Sequence, residues 1–170
     1  MEAKDKEKFQ IFRSADGRDL MEAGVMSIAP YTPAQKEGLN SLRAAGVTEG
    51  TQVRVLFNLP GFSLTHVWFK KDYPLPLHSH DANCLYYIIA GSISLGTEVL
   101  GPRDGFFVPE GTPYTYRPGP EGVELLEFRH ATHFDFRLHV NNEAFWKKGA
   151  ETVAKNRADW ETAKMPPLNA

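Results

Sequence analysis

Cysteine is almost absent from this chain of 170 residues, which has Cys84 and no other. No disulfide can form within such a chain, and a lone thiol is typical of a protein from a reducing compartment. No apolar run is long enough to span a membrane. The charged segment at residues 1–8 also lacks the apolar stretch of a secretory signal. We therefore expect a cytoplasmic protein with no membrane partner.

An excess of charge of either sign is also missing. The chain has 19 Lys and Arg against 21 Asp and Glu, for a formal net charge of -2. The basic residues are scattered along the chain and mixed with acidic ones, whereas a nucleic-acid surface needs them clustered. We expect no nucleic-acid partner. The apolar fraction is sufficient for one core, so a chain of this length predicts one domain with short appendages.

Glycine and proline, in contrast, are frequent and divide the middle of the chain into short apolar runs. Turns are expected at residues 60–61 and 90–91, and a loop at residues 118–122. The runs between them have the composition of strands and cover residues 52–57, 62–70, 84–89, 92–100, 105–108, 114–117 and 123–129. Many short strands with regular turn signals predict an antiparallel sandwich or barrel.

Helices are predicted on either side of this region. Thr32, Pro33 and Gln35 form a helix start with a capping box, and Gly46 is a suitable stop. These signals predict a helix over residues 33–45, preceded by an irregular arm at residues 1–31. A second helix is predicted over residues 143–163. The expected organisation is an N-terminal arm and short helix in residues 1–50, a barrel in residues 51–140 and a C-terminal helical tail in residues 141–170.

The motif His78-Ser79-His80 carries the clearest chemical signal. Side chains at positions i and i+2 of a strand point to the same face. Two imidazoles at this spacing can bind one divalent metal ion together. The sequence therefore predicts a metal site at which His78 and His80 are ligands.

His78-x-His80, then Gly91, then Pro109-x-Gly111, resemble the two signature motifs of the cupin superfamily, over roughly residues 50–130. Cupins are all-β proteins with a double-stranded β-helix (jelly-roll) barrel. The resemblance implies a transition metal (Fe, Mn, Ni, Zn or Cu) near the barrel axis. Two ligand positions of the family differ here, since Cys84 stands in place of a glutamate and Tyr114 in place of a third histidine.

Three residues are candidates for completing the site. Cys84 lies four residues after His80 and shares its face if no bulge intervenes, so it is either a thiolate ligand or a small buried core residue. Tyr86 and Tyr114 are either ligands and pocket acids or bases, or packing residues with a satisfied hydroxyl. Other residues are assigned to structural or surface positions (His66, His130, His133 and His139), or depend on strand parity that the sequence leaves open (Glu98, Glu124 and Glu127).

The resemblance implies a metal-dependent cupin enzyme, an oxidoreductase of dioxygenase type acting on a small organic molecule, with aromatic molecules among the options. Aromatic residues around the barrel mouth would suit such a substrate (Trp68, Phe106, Tyr114 and Tyr116). One alternative is metal-dependent lyase or isomerase chemistry with Tyr86 or Tyr114 as acid or base. Another is a protein that binds a small ligand or metal without catalysis, or a purely structural cupin. Exposed sheet edges need cover, and we therefore expect a homodimer.

Overall fold

Strands that are mostly antiparallel form the largest part of the regular structure in a computed structural model, which describes residues 8–168. Residues 1–7, which carry most of the charged segment used to predict localisation, lie outside the described residues. No helix within residues 8–168 is long and apolar enough to cross a membrane. The strands are β1 (Arg18–Asp19), β2 (Met26–Ile28), β3 (Thr51–Leu59), β4 (Phe62–Phe69), β5 (His78–Ser79), β6 (Cys84–Leu95), β7 (Glu98–Leu100), β8 (Gly105–Val108), β9 (Arg117–Arg129) and β10 (Phe134–Leu138). The helices are α1 (Leu20–Ala23), α2 (Pro33–Ala45) and α3 (Glu143–Thr162), with short 3₁₀ turns at Ser14–Asp16 and Val47–Gly50.

The strands are arranged in one large and one small sheet. The large sheet has the order β1-β3-β4-β9-β6-β7, with β8 also paired to β6. The small sheet has the order β2-β10-β5, in which β2 is parallel and β5 antiparallel to β10. The prediction of an antiparallel all-β fold is confirmed, but strand pairing within residues 8–168 does not close the sheets into the predicted barrel.

Strand β9 corrects two of the sequence predictions. The expected loop at residues 118–122 is part of this strand, whose residues Arg117 and Pro118 pair with β6. Tyr114 does not begin a strand but makes an isolated bridge to His78. Tyr114 therefore does not pair with Leu126, as a hairpin at residues 118–122 would have required. Pro118 is tolerated there because it lies near the start of β9, next to a register shift in the pairing with β6.

The predicted turn at residues 90–91 is likewise a continuous part of β6. The register between β6 and β9 shifts on either side of Ala90 and Gly91, which is the mark of β-bulges. Gly91 has φ 74°, and a Cβ on it would lie 2.2 Å from the carbonyl oxygen of Gly122. The glycine therefore permits close approach of two strands and does not end one of them.

The two long helices pack against each other beside the small sheet. Helix α2 begins with the predicted capping box between Thr32 and Gln35, and it ends at Gly46. Helix α3 buries Trp146, Val153 and Trp160 in an apolar cluster shared with α2 and β10 (Leu42, Leu138, Val140, Trp146, Val153 and Trp160). The bounds of α2 and α3 lie within a residue of the predicted ranges 33–45 and 143–163.

The arm before α2 is less irregular than predicted. Strand β1 pairs with β3 through two residues, and β2 pairs with β10 through three. The arm thereby crosses the space beside the small sheet, where it contributes Leu20, Met26, Ile28 and Tyr31 to the wall of a cavity.

Candidate functional site

A partly open cavity of about 270 Å³ is lined by residues of both sheets, the arm and α2. Most of its lining is apolar or aromatic. The residues with polar chemistry are His78, His80, Glu127 and Arg129, together with tyrosines such as Tyr114. A small apolar cavity with a few converging polar groups is the usual form of a small-molecule site.

The backbone holds both imidazoles of the His-x-His motif in place. His78 is tied to Tyr114 by two backbone hydrogen bonds, of 3.1 and 2.9 Å. Its Nδ1 lies 2.7 Å from the carbonyl oxygen of Pro76, and Nδ1 of His80 lies 2.6 Å from that of Asp135. Since a carbonyl only accepts, Nδ1 donates in each ring, and Nε2 carries the free electron pair.

Burial keeps both histidines uncharged at neutral pH. His78 and His80 are 4% and 7% exposed, and their ring centroids are 5.1 Å apart. Loss of hydration and, to a smaller extent, the neighbouring His80 together lower the pKa of His78 to about 4. Loss of hydration, with the positive charge of Arg129, also lowers the pKa of His80 to about 4. The two Nε2 atoms are therefore available as proton acceptors or as metal ligands.

Among the tyrosines that line the cavity, Tyr114 lies beside His78. Its ring centroid is 4.4 Å from that of His78, and its hydroxyl is hydrogen-bonded to the hydroxyl of Tyr86. Tyr86 is fully buried, stacks on Phe106 and does not line the cavity. Burial raises the pKa of both phenols, and the negative charge of Glu127 adds to this effect. Both hydroxyls remain protonated and can act as hydrogen-bond donors.

Glu127 and Arg129 are the residues whose role the sequence did not fix. Glu127 lies directly opposite Tyr86 on β6 and Thr65 on β4, both of which are buried, so it points to the inner face of the sheet. Glu127 Oε2 is 2.8 Å from Arg129 Nη1. The guanidinium also lies over Phe134, 4.0 Å from the ring centroid. The alternation along β9 indicates that Leu125, Glu127 and Arg129 share one face of the strand. The sequence alone does not show whether that face points inward.

The contact between Glu127 and Arg129 is ionic and does not satisfy all their hydrogen-bonding capacity. Arg129 is 1% exposed, and its Nε and Nη1 have no aligned acceptor among the described residues. Burial alone would lower the pKa of the guanidinium, but Glu127 raises it above its ordinary value, so Arg129 stays charged. The cavity thus contains one permanent cation beside one carboxylate.

Cys84 does not join the histidines. It is 1% exposed, lies in the core of the large sheet and does not line the cavity. Burial raises the pKa of the thiol to about 12, which keeps it protonated. Residues 80–83 separate β5 from β6, so the shared face that was expected for His80 and Cys84 is not maintained.

The other candidates from the sequence lie outside the cavity. His66 is bonded to Glu124 on the opposite face of the sheet, with Nε2 2.8 Å from Oε1. His130, His133 and His139 are exposed, and His139 bonds the hydroxyl of Ser79. These positions agree with the structural and surface roles expected for the four histidines. Trp68 and Phe106, expected at the mouth, do not line the cavity.

A metal ion would find two suitable ligands here. Metal-binding histidines usually donate the second ring N–H to a carbonyl or carboxylate, as His78 and His80 do. Within residues 8–168, however, no three His, Cys, Asp or Glu side chains are close enough to hold one ion. The donor set therefore fits a metal as a pair of imidazoles, but it does not fit the three-ligand centres of zinc and iron enzymes.

Comparison with known proteins places this architecture among cupins. No family model matches the sequence, and no curated protein does. The polyketide cyclase RemF from Streptomyces resistomycificus is similar in structure, with a TM-score of 0.52 and 22% identity over 62% of this chain and 82% of that one. A protein of unknown function with a cupin-like fold from Ralstonia eutropha has a TM-score of 0.50 and 16% identity, over 89% of this chain and 90% of that one. Likenesses at this level of identity concern the fold alone, and they support a cupin-like arrangement of strands without showing the predicted closed barrel.

Proposed function

We propose that this cavity is the active site of an enzyme that moves protons on small, mainly apolar organic molecules, in a redox-neutral lyase, isomerase or cyclase reaction. The proposal depends chiefly on one observation. Two neutral imidazoles with free Nε2 atoms and the protonated phenol of Tyr114 line the same apolar cavity. A base and a hydrogen-bond donor close together are what enolisation requires.

The proposed step begins with a substrate that has a carbonyl group and an acidic C–H bond beside it. Nε2 of His78 accepts the proton, and the C–H electron pair moves onto the carbonyl oxygen. The hydroxyl of Tyr114 donates a hydrogen bond to that oxygen as its negative charge develops. Returning the proton at another carbon completes an isomerisation, whereas loss of a leaving group completes an elimination.

Tyr86 is a positioning residue in this scheme. Its hydroxyl does not reach the cavity, but its hydrogen bond to Tyr114 fixes the orientation of that phenol. His80 provides a second neutral imidazole beside His78. The likeness to a polyketide cyclase is compatible with such chemistry, although at 22% identity it supports the fold and not the reaction.

The experiment is solvent deuterium exchange into 2-tetralone, a bicyclic ketone with acidic C–H bonds, followed by proton NMR in D₂O with a chelator present. We expect the wild-type protein to accelerate exchange at least about tenfold over buffer, as general-base catalysis should. His78→Gln should abolish the acceleration. His66→Gln is the matched control, because His66 lies on the opposite face of the sheet. Exchange at the buffer rate, or full activity of His78→Gln, would contradict the proposal.

The second candidate is the metal-dependent oxidoreductase of dioxygenase type that the cupin resemblance implies. The hydrogen bonds that hold Nδ1 of His78 and His80 favour this candidate. It is weakened because no third ligand side chain lies close to them within residues 8–168. Metal analysis after incubation with Fe(II), Mn(II) or Zn(II) tests this candidate. Fewer than about 0.1 ions per chain would reject it, since metal enzymes retain close to one per site. Retention that is lost on replacing both histidines by Ala would support it.

Binding of small molecules with no turnover would favour the non-catalytic alternative.

We also propose that the chain forms a homodimer through the outer face of the large sheet. Leu85, Tyr87 and Phe107 are each about half exposed there (51%, 47% and 58%). Leu85 lies between Phe107 on β8 and Phe128 on β9, which makes a continuous apolar row across three strands. Apolar patches of this kind are usually covered by a partner.

A further inference from the structure

We infer that the cavity selects planar molecules of one or two rings that carry a hydroxyl group, and that Glu127 accepts the hydrogen bond from that hydroxyl. This inference rests on the proposal that the cavity takes up a small molecule, and it adds the substrate class. It follows from the hydrogen-bonding capacity of Glu127, the charge beside it and the size of the cavity.

Glu127 has unused capacity to accept hydrogen bonds. An ionised carboxylate offers about four lone-pair positions. The described residues supply one ionic contact, from Arg129, and no aligned hydrogen bond. The side chain is 12% exposed, so little water reaches its oxygens, and a molecule that fills the cavity displaces that water. A molecule that fills the cavity without donating to Glu127 leaves a buried charged acceptor unsatisfied, which is costly.

The neighbouring charge determines which donor is accepted. Glu127 and Arg129 are adjacent and opposite in charge, so a ligand ion of either sign meets one attraction and one repulsion, and it still loses its hydration in the cavity. A neutral donor loses less hydration, and among neutral donors a hydroxyl makes short, strong bonds to carboxylate oxygens.

The size and walls of the cavity indicate the rest of the molecule. A cavity of about 150 Å³ holds a single benzene ring, and this one is about 270 Å³. Two fused rings therefore fit. The rings of Phe69, Tyr114, Tyr116, Phe134 and Phe136 belong to the lining, and flat aromatic compounds pack well against such rings.

The test compares two probes that differ only in the hydroxyl group, 2-naphthol and naphthalene, by titration calorimetry or ligand fluorescence. Wild-type protein should bind 2-naphthol at least about tenfold more tightly, because naphthalene leaves Glu127 unsatisfied. The variant Glu127→Met/Arg129→Met replaces the whole ion pair with apolar side chains and should bind both probes within about threefold of each other. Circular dichroism melting establishes that the variant is folded.

Glu124→Gln is the matched control, since Glu124 pairs with His66 on the opposite face and its change should leave the preference intact. Equal affinities in the wild-type protein would overturn the inference alone. A preference that survives in the double variant would also overturn it, because the hydroxyl would then be bound by another acceptor such as a histidine. If neither probe binds the wild-type protein, both the proposed function and this inference fail.

Discussion

Replacing Arg129 by Met is expected to destabilise the protein strongly, because it leaves Glu127 as a buried carboxylate without a counter-charge. The two charges are 2.8 Å apart, which corresponds to about 6 kcal/mol of attraction at an effective dielectric constant of about 20. Part of this attraction is offset by the cost of burying both ions. Breaking one partner of a buried pair typically lowers the free energy of unfolding by about 3–5 kcal/mol, and we expect a value in that range.

Urea unfolding followed by the fluorescence of the buried Trp146 and Trp160 measures this change. The double variant Glu127→Met/Arg129→Met should recover stability to within about 1 kcal/mol of wild type, since it contains no unpaired buried charge at this position. Arg157→Met, at the exposed ion pair with Glu49, should have little effect. The reasoning is refuted if Arg129→Met costs less than about 1 kcal/mol, or if the double variant is no more stable than the single one.

Three further predictions concern the histidines, the thiol and the outer sheet face. Because the folded-state pKa values of His78 and His80 lie near 4, below the ordinary value of 6.5, the stability present above pH 6.5 is lost as the pH falls towards 4. At pH 5 the expected loss in the free energy of unfolding is about 2 kcal/mol for each histidine. Urea unfolding with a chelator should show this loss, and His78→Gln should remove about half of it. A free energy of unfolding that does not change with pH would contradict the prediction. Cys84→Ser should leave zinc affinity unchanged by titration, and weaker binding would show that the thiolate coordinates. Leu85→Glu should convert a dimer to a monomer in light scattering while Val99→Glu does not, and a monomeric wild-type protein would reject the proposed dimer.

Features that depend on residues close together in the sequence could be predicted from it. The capping box at Thr32 and Gln35 satisfies backbone groups within four residues, so its position could be read directly from the sequence. The His-x-His motif is local in the same sense, and both rings do line the cavity. The cupin motifs likewise depend on turn residues at short spacings.

The elements that were wrongly predicted depend on distant strand partners. Pro118 and Gly119 were interpreted as a loop, yet pairing of β9 with β6 extends the strand through them. Bulges around Gly91 shift the register, and each shift changes which side chains face inward. For this reason the sequence could not assign the inner face to Glu127, and it could not exclude Cys84 from the site.

The arm suggests how molecules enter and leave the interior. Its strand β2 is held to β10 by three residue pairs along one edge, whereas β9 has a neighbour on each side over much of its length. Detaching β2 would widen the opening of the cavity without disturbing the large sheet, and such local opening costs less than global unfolding. The amides of residues 26–29 should accordingly exchange with deuterium well before those of β9. Larger molecules could then enter while the polar groups around His78 stay in place.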